Sequence, residues 1–369
     1  MAWAAGAALV VGGGTAGIVI AAQGGTQAPS AAAAATARLQ SLRLVSISDV
    51  PANGTTGSPA VNGAADITVT YNQPLPAKAP VPAVSPAIAG SWHRKGDTVV
   101  FTPTTGFPPG THITVTAMAK DSGASPSFTT ASFTTGNYST LRLQEVIAQL
   151  GYLPMTWTPA ADAAAPGANA AAQLSAAYTP PAGSFQWQQG YPSQLSSLWS
   201  QGKANTLDKG AIMEFESDHG LSINGVAGTA VWKALLTAAA KNQRNTHGYN
   251  YAIANQRQPE TLTIWHNGKK VFSSPANTGI AAAPTALGTF PVYLKYQFQI
   301  MSGTNPDGSS YADPVQWVSY FNGGDAVHYF PRGSYGWPQS LGCVELPSNT
   351  AEQAYSYLPY GSLVTVTGA

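Results

Sequence analysis

The period of the apolar pattern changes twice along this 369-residue chain, and a chain that changes period in this way folds as more than one unit. From Leu42 to Gly136 it runs in short alternating stretches: Leu44-Val45-Ser46-Ile47, Ile67-Thr68-Val69-Thr70-Tyr71, Val99-Val100-Phe101 and Ile113-Thr114-Val115. Asn53-Gly54, Pro108-Pro109-Gly110 and Ser122-Gly123 punctuate the intervals, which predicts a sandwich of two sheets of short strands over residues 41–137. After Asn137 the period becomes helical: Leu141, Leu143, Val146, Ile147 and Leu150 share one helical face. Ser139 or Thr140 can cap its start, and Gly151 followed by Pro154 ends it. From Tyr249 the β pattern returns, with Asn267-Gly268 set for a tight hairpin between Leu262-Thr263-Ile264 and Lys270-Val271-Phe272. The chain therefore reads as multidomain and mainly β, with a helical unit at 138–245 and a third, mostly β unit at 246–369.

Hydrophobic residues make up 44% of the chain and charged residues only 9%, enough apolar material to fill several cores. The net charge is +1 and no cationic cluster occurs, so nothing provides the basic field that nucleic-acid binding needs. Residues 1–22 carry no charge and are long enough to cross a bilayer, which fits a cleaved signal peptide or a retained anchor. Residues 23–40 are an Ala/Gly/Pro-rich linker suited to a spacer. Together these predict an exported protein, anchored or secreted, at the cell wall or the extracytoplasmic face of a membrane. His93 and His112 have no partners at metal-ligand spacing and read as surface residues; Asp218 and His219 read as polar groups at a helix end. No metal site is expected.

Inside the helical unit, residues 158–205 form a long insertion rich in Ala, Gly and Pro, with the aromatics Tyr178, Phe185, Trp187, Tyr191 and Trp199. Such rings either stack on sugar faces or anchor the insertion on a neighbouring unit.

The single cysteine, Cys343, lies in Ser340-Leu341-Gly342-Cys343-Val344, downstream of His328. An unpaired thiol near a histidine is a candidate for His-assisted covalent catalysis; a buried, inert cysteine is the alternative. Pro284-Thr285-x-x-Gly288-x-Phe290, then Ala326-Val327-His328, then the Ser-x-Gly-Cys-Val turn occur in that order. On these three motifs the stretch from Tyr249 to Val366 resembles the L,D-transpeptidase (YkuD-type) catalytic domain. Residues 211–236, with Phe215, Gly220-Leu221, Gly225-Val226-Ala227-Gly228 and Trp232, resemble a peptidoglycan-binding domain. The strand order of residues 41–137 resembles bacterial immunoglobulin-like (Ig-like) modules.

The catalytic resemblance implies Cys343 as nucleophile, His328 as general base and acid, and the Gly342 backbone N–H, with Cys343's own, at an oxyanion site. Tyr311 is implied as a further oxyanion donor and the Tyr329 backbone as the group orienting His328. Ser340, Arg332, Trp337 and Tyr335 are expected to contact substrate. Where the family often has a second histidine this chain has Leu341, and where it often has Arg or Asn two residues after the cysteine it has Glu345. The implied activity is 3-3 cross-linking of peptidoglycan stem peptides through a cysteine thioester, without a cofactor. Stem peptides are the implied donor and acceptor, glycan strands the partner of the helical unit, carbapenems covalent inhibitors, and the protein a monomer. Two alternatives stand beside it: an L,D-carboxypeptidase or endopeptidase using water as acceptor, or a non-catalytic wall-binding protein.

Overall fold

A computed structural model describes residues 42–48, 61–121, 126–161 and 169–368. The export segment and linker expected at 1–22 and 23–40 lie outside these residues. No described helix is long and apolar enough to cross a membrane.

The first unit has two antiparallel sheets. One has the order β1-β2-β5-β4, from β1 (Leu44–Ser48), β2 (Ile67–Tyr71), β4 (Gly90–Lys95) and β5 (Thr98–Pro103). The other is β3-β6-β7, from β3 (Ala83–Ser85), β6 (His112–Asp121) and β7 (Pro126–Thr134). Alternation sets which side chains meet: Ile67, Val69 and Tyr71 of β2 and Val99 and Phe101 of β5 are buried with Ile113, Val115 and Ala117 of β6. The β4 strand carries little sequence alternation because it is an edge, with Ser91, His93 and Lys95 facing water while Arg94 donates to the carbonyls of Leu75, Pro76 and Ala79. Among the described residues His93 meets the Ser91 hydroxyl and His112 meets Thr134 Oγ1, and both are exposed.

The helical unit contains α1 (Thr140–Gln149), β8 (Met155–Pro159), α2 (Ala170–Tyr178), β9 (Gly183–Trp187), α3 (Ser193–Ser196), α4 (Thr206–Asp218) and α5 (Thr229–Lys241). Ser139 caps α1, and an Asn205–Asp208 capping box starts α4. The expected one-sided burial of α1 is corrected: Arg142, Gln144 and Glu145, on its polar side, are also buried. The reason is the insertion, whose described part is structured and wraps this helix. Arg142 pairs with Glu145 at 2.8 Å and reaches Gln173 of α2 at 2.9 Å, while Gln144 donates to the carbonyls of Ser200 and Lys203 and to Asp208. The insertion's rings pack inward and onto both neighbours. Phe185 and Trp187 meet Trp199, the Tyr178 hydroxyl donates to the Phe107 carbonyl of the first unit, and the Tyr191 hydroxyl donates to the Tyr249 carbonyl of the third. At the end of α4, Asp218 accepts from the Tyr152 hydroxyl and the His219 ring stacks on Phe215.

The third unit pairs a five-stranded sheet, β12-β11-β10-β18-β13, with a four-stranded sheet, β14-β15-β16-β17. The first is built from β10 (Asn250–Asn255), β11 (Thr261–His266), β12 (Lys269–Pro275), β13 (Gly288–Pro291) and β18 (Leu363–Thr367). The second is built from β14 (Leu294–Thr304), β15 (Ser310–Asn322), β16 (Asp325–Tyr329) and β17 (Val344–Leu346), with α6 (Ser348–Tyr357) packed on β15 and β16. The Asn-Gly hairpin between β11 and β12 is present, with φ of 48° at Asn267 and 76° at Gly268, both in the left-handed region that such a turn needs. Leu262, Ile264, Val327, Val344, Leu346 and Ala354 belong to one core between the sheets and α6. Helix α4 approaches the turn before β18 so closely that a Cβ on Gly210 would lie 2.5 Å from the Gly361 carbonyl oxygen, so only glycine fits there.

Candidate active site

The parallel pair β16 and β17 positions the reactive residues. In this ladder Val327 stands opposite Val344 and His328 opposite Glu345. His328 therefore sits inside a strand, and Cys343 at the mouth of the next one. Both line a cavity of about 490 Å³ between the sheet floor and the long β14–β15 hairpin. Lys295 ties the hairpin to α6: its Nζ donates to the carbonyls of Tyr355 and Leu358, both at 2.7 Å, and lies 3.8 Å over the Tyr355 ring.

The turn that presents Cys343 is fixed from below by buried polar groups. Glu260, 1% exposed, accepts from the Thr278 N–H at 2.6 Å and the Thr278 hydroxyl at 2.8 Å. The Thr278 carbonyl in turn accepts from the N–H groups of Gln339 and Ser340. Asn277 exchanges both backbone bonds with Glu345, and its side-chain oxygen accepts from Gly336 N–H. A loop that crosses a domain interior outside a ladder needs such partners for its peptide groups.

His328 is 3% exposed, and its Nδ1 lies 2.9 Å from the Tyr329 carbonyl oxygen. A carbonyl can only accept, so Nδ1 carries the proton and Nε2 of the neutral ring is a free base. Burial holds this histidine below its usual titration range, opposed by the Tyr329 carbonyl and then by Glu345. The Cys343 thiol is pushed up to about 12, mainly by burial and further by the carboxylates of Asp325 and Glu345. It is accordingly a neutral thiol at rest, and its sulfur lies 3.7 Å from the Gly324 carbonyl oxygen. The residue keeps partial exposure, which leaves the sulfur reachable from the cavity.

Four of the expected site residues have the following surroundings. The Gly342 N–H donates to Ser340 Oγ at 3.2 Å, inside the turn. Ser340 is 1% exposed, and its hydroxyl donates to the Cys343 carbonyl at 2.6 Å and braces the same turn. Tyr335 lies outside the cavity wall, with its hydroxyl spent on the Phe330 carbonyl at 2.6 Å. Trp337, 45% exposed, also lies outside that wall. Arg332 does line the cavity, but two of its nitrogens grip Glu345, Nε to Oε2 and Nη2 to Oε1, both at 2.8 Å. Leu341 lines the cavity mouth, and Tyr311 lies on the hairpin wall, raised by burial and by its proximity to Cys343.

The Pro-Thr motif also acts through structure. Thr285 Oγ1 accepts from Gly279 N–H at 2.8 Å, and Ala286 N–H donates to Asp325 at 3.2 Å. Asp325 stands against Gly342, where a Cβ would come within 2.6 Å of its Oδ1; φ at Gly342 is +115°. Sequence reading missed the wall residues Asp313 and Tyr320 of β15 and Met301 of β14. Their only signal is alternation along two long strands, and this does not say which face closes over the cysteine. Among the described residues no group of three metal-ligating side chains occurs.

A thiol, a histidine whose Nδ1 is committed to a carbonyl, and a cavity of about 490 Å³ come together here. Residues 249–366 match the YkuD family, the L,D-transpeptidase catalytic domain. The chain is also similar to an L,D-transpeptidase from Mycobacterium smegmatis, at 15% identity over 89% of this chain and 99% of that one, with a TM-score of 0.31. L,D-transpeptidase 3 from Mycobacterium tuberculosis, in complex with a faropenem-derived adduct, gives 16% identity over 88% and 98%, with a TM-score of 0.30. The catalytic domain of the E. faecium L,D-transpeptidase gives 22% over 33% of this chain and all of that one, at 0.30. At such scores these likenesses carry no weight of their own. No curated protein matches.

Proposed function

We propose that this protein is an exported L,D-transpeptidase that joins peptidoglycan stem peptides by 3-3 links. The observation that carries the reading is the convergence of Cys343 and His328 on one cavity, with His328 Nδ1 committed to the Tyr329 carbonyl. Cys343 Sγ attacks the carbonyl carbon of the third stem residue while its proton passes to His328 Nε2. The resulting oxyanion is received by the Cys343 N–H, for which no partner occurs among the described residues, and by the Tyr311 hydroxyl from the hairpin wall. Collapse breaks the C–N bond to the terminal D-alanine, and the Nε2 proton goes to the departing amine. The amine of a second stem then attacks the thioester carbonyl, gives its proton to Nε2, and expels the sulfur, which recovers that proton.

Because the resting pair is neutral, proton transfer accompanies attack rather than preceding it. The helical unit is the module that binds glycan strands, and the first unit is a spacer toward the membrane. The test is incubation with disaccharide-tetrapeptide and mass detection, with Cys343→Ala as control. A cross-linked dimer that disappears in the variant is expected. Trimmed tripeptide alone would establish hydrolysis instead, and no product from the intact wild type would favour a wall-binding role. Intact-mass detection of a carbapenem adduct on the wild type, absent in the variant, is the parallel expectation.

A further inference from the structure

Glu345 departs from the pattern of similar sites, and its surroundings give it a task. It is the Cα partner of His328 in the parallel β16–β17 ladder, so both side chains leave the same face of the sheet. Its side chain is 5% exposed, against 29% for Arg332, which grips it with two nitrogens. Arg332 is itself held in place: Nη2 also donates to the Gln339 carbonyl at 3.0 Å, and the guanidinium lies 4.6 Å over the Phe330 ring. Phe330 meets the His328 ring edge-on at 6.3 Å. The Asn277 amide approaches the carboxylate at 3.5 Å.

The two opposite charges of this pair would be screened alike if both were equally solvated. They are not: water reaches the guanidinium and screens it, whereas the carboxylate acts through the protein interior. The carboxylate is therefore the less screened charge of the pair.

We propose that Glu345 is a positioning residue that supports the imidazolium formed when His328 takes the thiol proton, and that Arg332 fixes its carboxylate on the His328 side of the sheet. The proposal rests on the catalytic reading of Cys343 and His328. The electrostatics agree in sign, since Glu345 raises the His328 titration range more than Arg332 lowers it, against the larger effect of burial. The other titratable groups around the cavity are Cys343 on the turn, Tyr311, Asp313 and Tyr320 of β15, and Asp325 at the head of β16. None of them is a ladder partner of His328. The arrangement answers a need of the mechanism: a buried histidine resists charging, yet it must carry a proton between thiol, leaving amine and acceptor amine.

The test is an NMR titration of labelled histidine in the full chain carrying Cys343→Ala, which removes coupling to the thiol. The His328 signal is assigned by its loss in His328→Gln. Glu345→Gln is expected to lower the His328 midpoint by about one pH unit, because the attraction is gone while Arg332 remains. The exchanged pair Arg332→Glu/Glu345→Arg keeps an ion pair but reverses its field, and is expected to lower the midpoint further. Arg332→Gln, at the more exposed end, is expected to raise it. An unchanged midpoint in any of these variants that folds, or a fall in Arg332→Gln, overturns the proposal and leaves the pair as a brace. The titration uses no substrate. Its failure would leave the proposed reaction standing, and a wild type that forms no product while showing these shifts would sink the reaction instead.

Discussion

The first and third units are both two-sheet β structures, yet they spend their interiors differently. Among the described residues of the sandwich, Thr135 is the single buried polar side chain, and it serves a corner by donating to the Pro108 carbonyl and accepting from Thr111 N–H. The third unit buries many more: alongside Asn250, Ser274, Ser319, Ser362 and Thr365, seven others, Glu260, Asn277, Thr278, Thr285, His328, Ser340 and Glu345, belong to the network around the turn that carries Cys343. Ladders satisfy peptide groups without side-chain help, so a unit built of strands can have a dry core. A cysteine presented on a turn between β16 and β17 cannot be satisfied that way, and polar side chains replace the missing ladder.

This contrast can be broken experimentally. The largest effect is expected from Cys343→Ala, which should cut transfer by at least ~10³-fold with the unfolding temperature little changed, measured by product formation and calorimetry. If activity persisted, the polar network would be supporting something other than this thiol. Next comes Phe101→Ala in the sandwich core, expected to destabilise that unit by about 3 kcal/mol in denaturant unfolding while the rate per folded molecule is unchanged. A fall in that rate would show that the two units are not independent.

Gly342→Ala should cost about 2 kcal/mol and most of the activity, since its φ of +115° and the nearby Asp325 oxygen leave no place for a methyl group. Ser340→Ala removes two hydrogen bonds in the turn, with an expected loss of ~1 kcal/mol and a roughly tenfold slower acylation read by mass spectrometry. Wild-type acylation in that variant would separate the brace from the chemistry.

The smallest effect concerns the helical unit. Burial raises Glu214 from 4.5 to about 8, with Asp218 adding to it. Between those values the folded state keeps a proton that the unfolded state releases, so stability is full below about 4.5 and falls as pH rises to about 8. Glu214→Gln should remove this dependence and unfold a few degrees higher than wild type at pH 8, with a smaller difference at pH 5, in a pH series of thermal melts.

Much of the fold was legible in the pattern of residues. Alternation located β2, β5 and β6, Asn267-Gly268 located the hairpin, and a 3.6-residue period with Ser139 located α1. These signals are local, set by the backbone and by which neighbours share a face. What was missed is non-local. The edge strand β4 turns only Trp92 toward the core, too little to imprint a pattern, and the insertion that buries the polar side of α1 arrives many residues later. The site divides in the same way. Cys343 and His328 stood out because thiol and imidazole are scarce and their spacing matches a motif. Glu260, Asn277 and Thr278 are common residue types in unremarked positions, and nothing near them in sequence shows that they hold a turn some sixty to eighty residues away.

The sequence by itself determined the division into β, helical and β units, the single thiol and its histidine, because period and composition act along the chain. The tertiary structure alone decided what those residues face. It turned the Gly342 N–H inward to Ser340, fixed the His328 tautomer on the Tyr329 carbonyl, and placed Glu345 beside the imidazole with Arg332 around it. Hydrogen-bond direction, burial and field depend on distances between strands far apart in sequence, and those distances exist only once the sheets have packed.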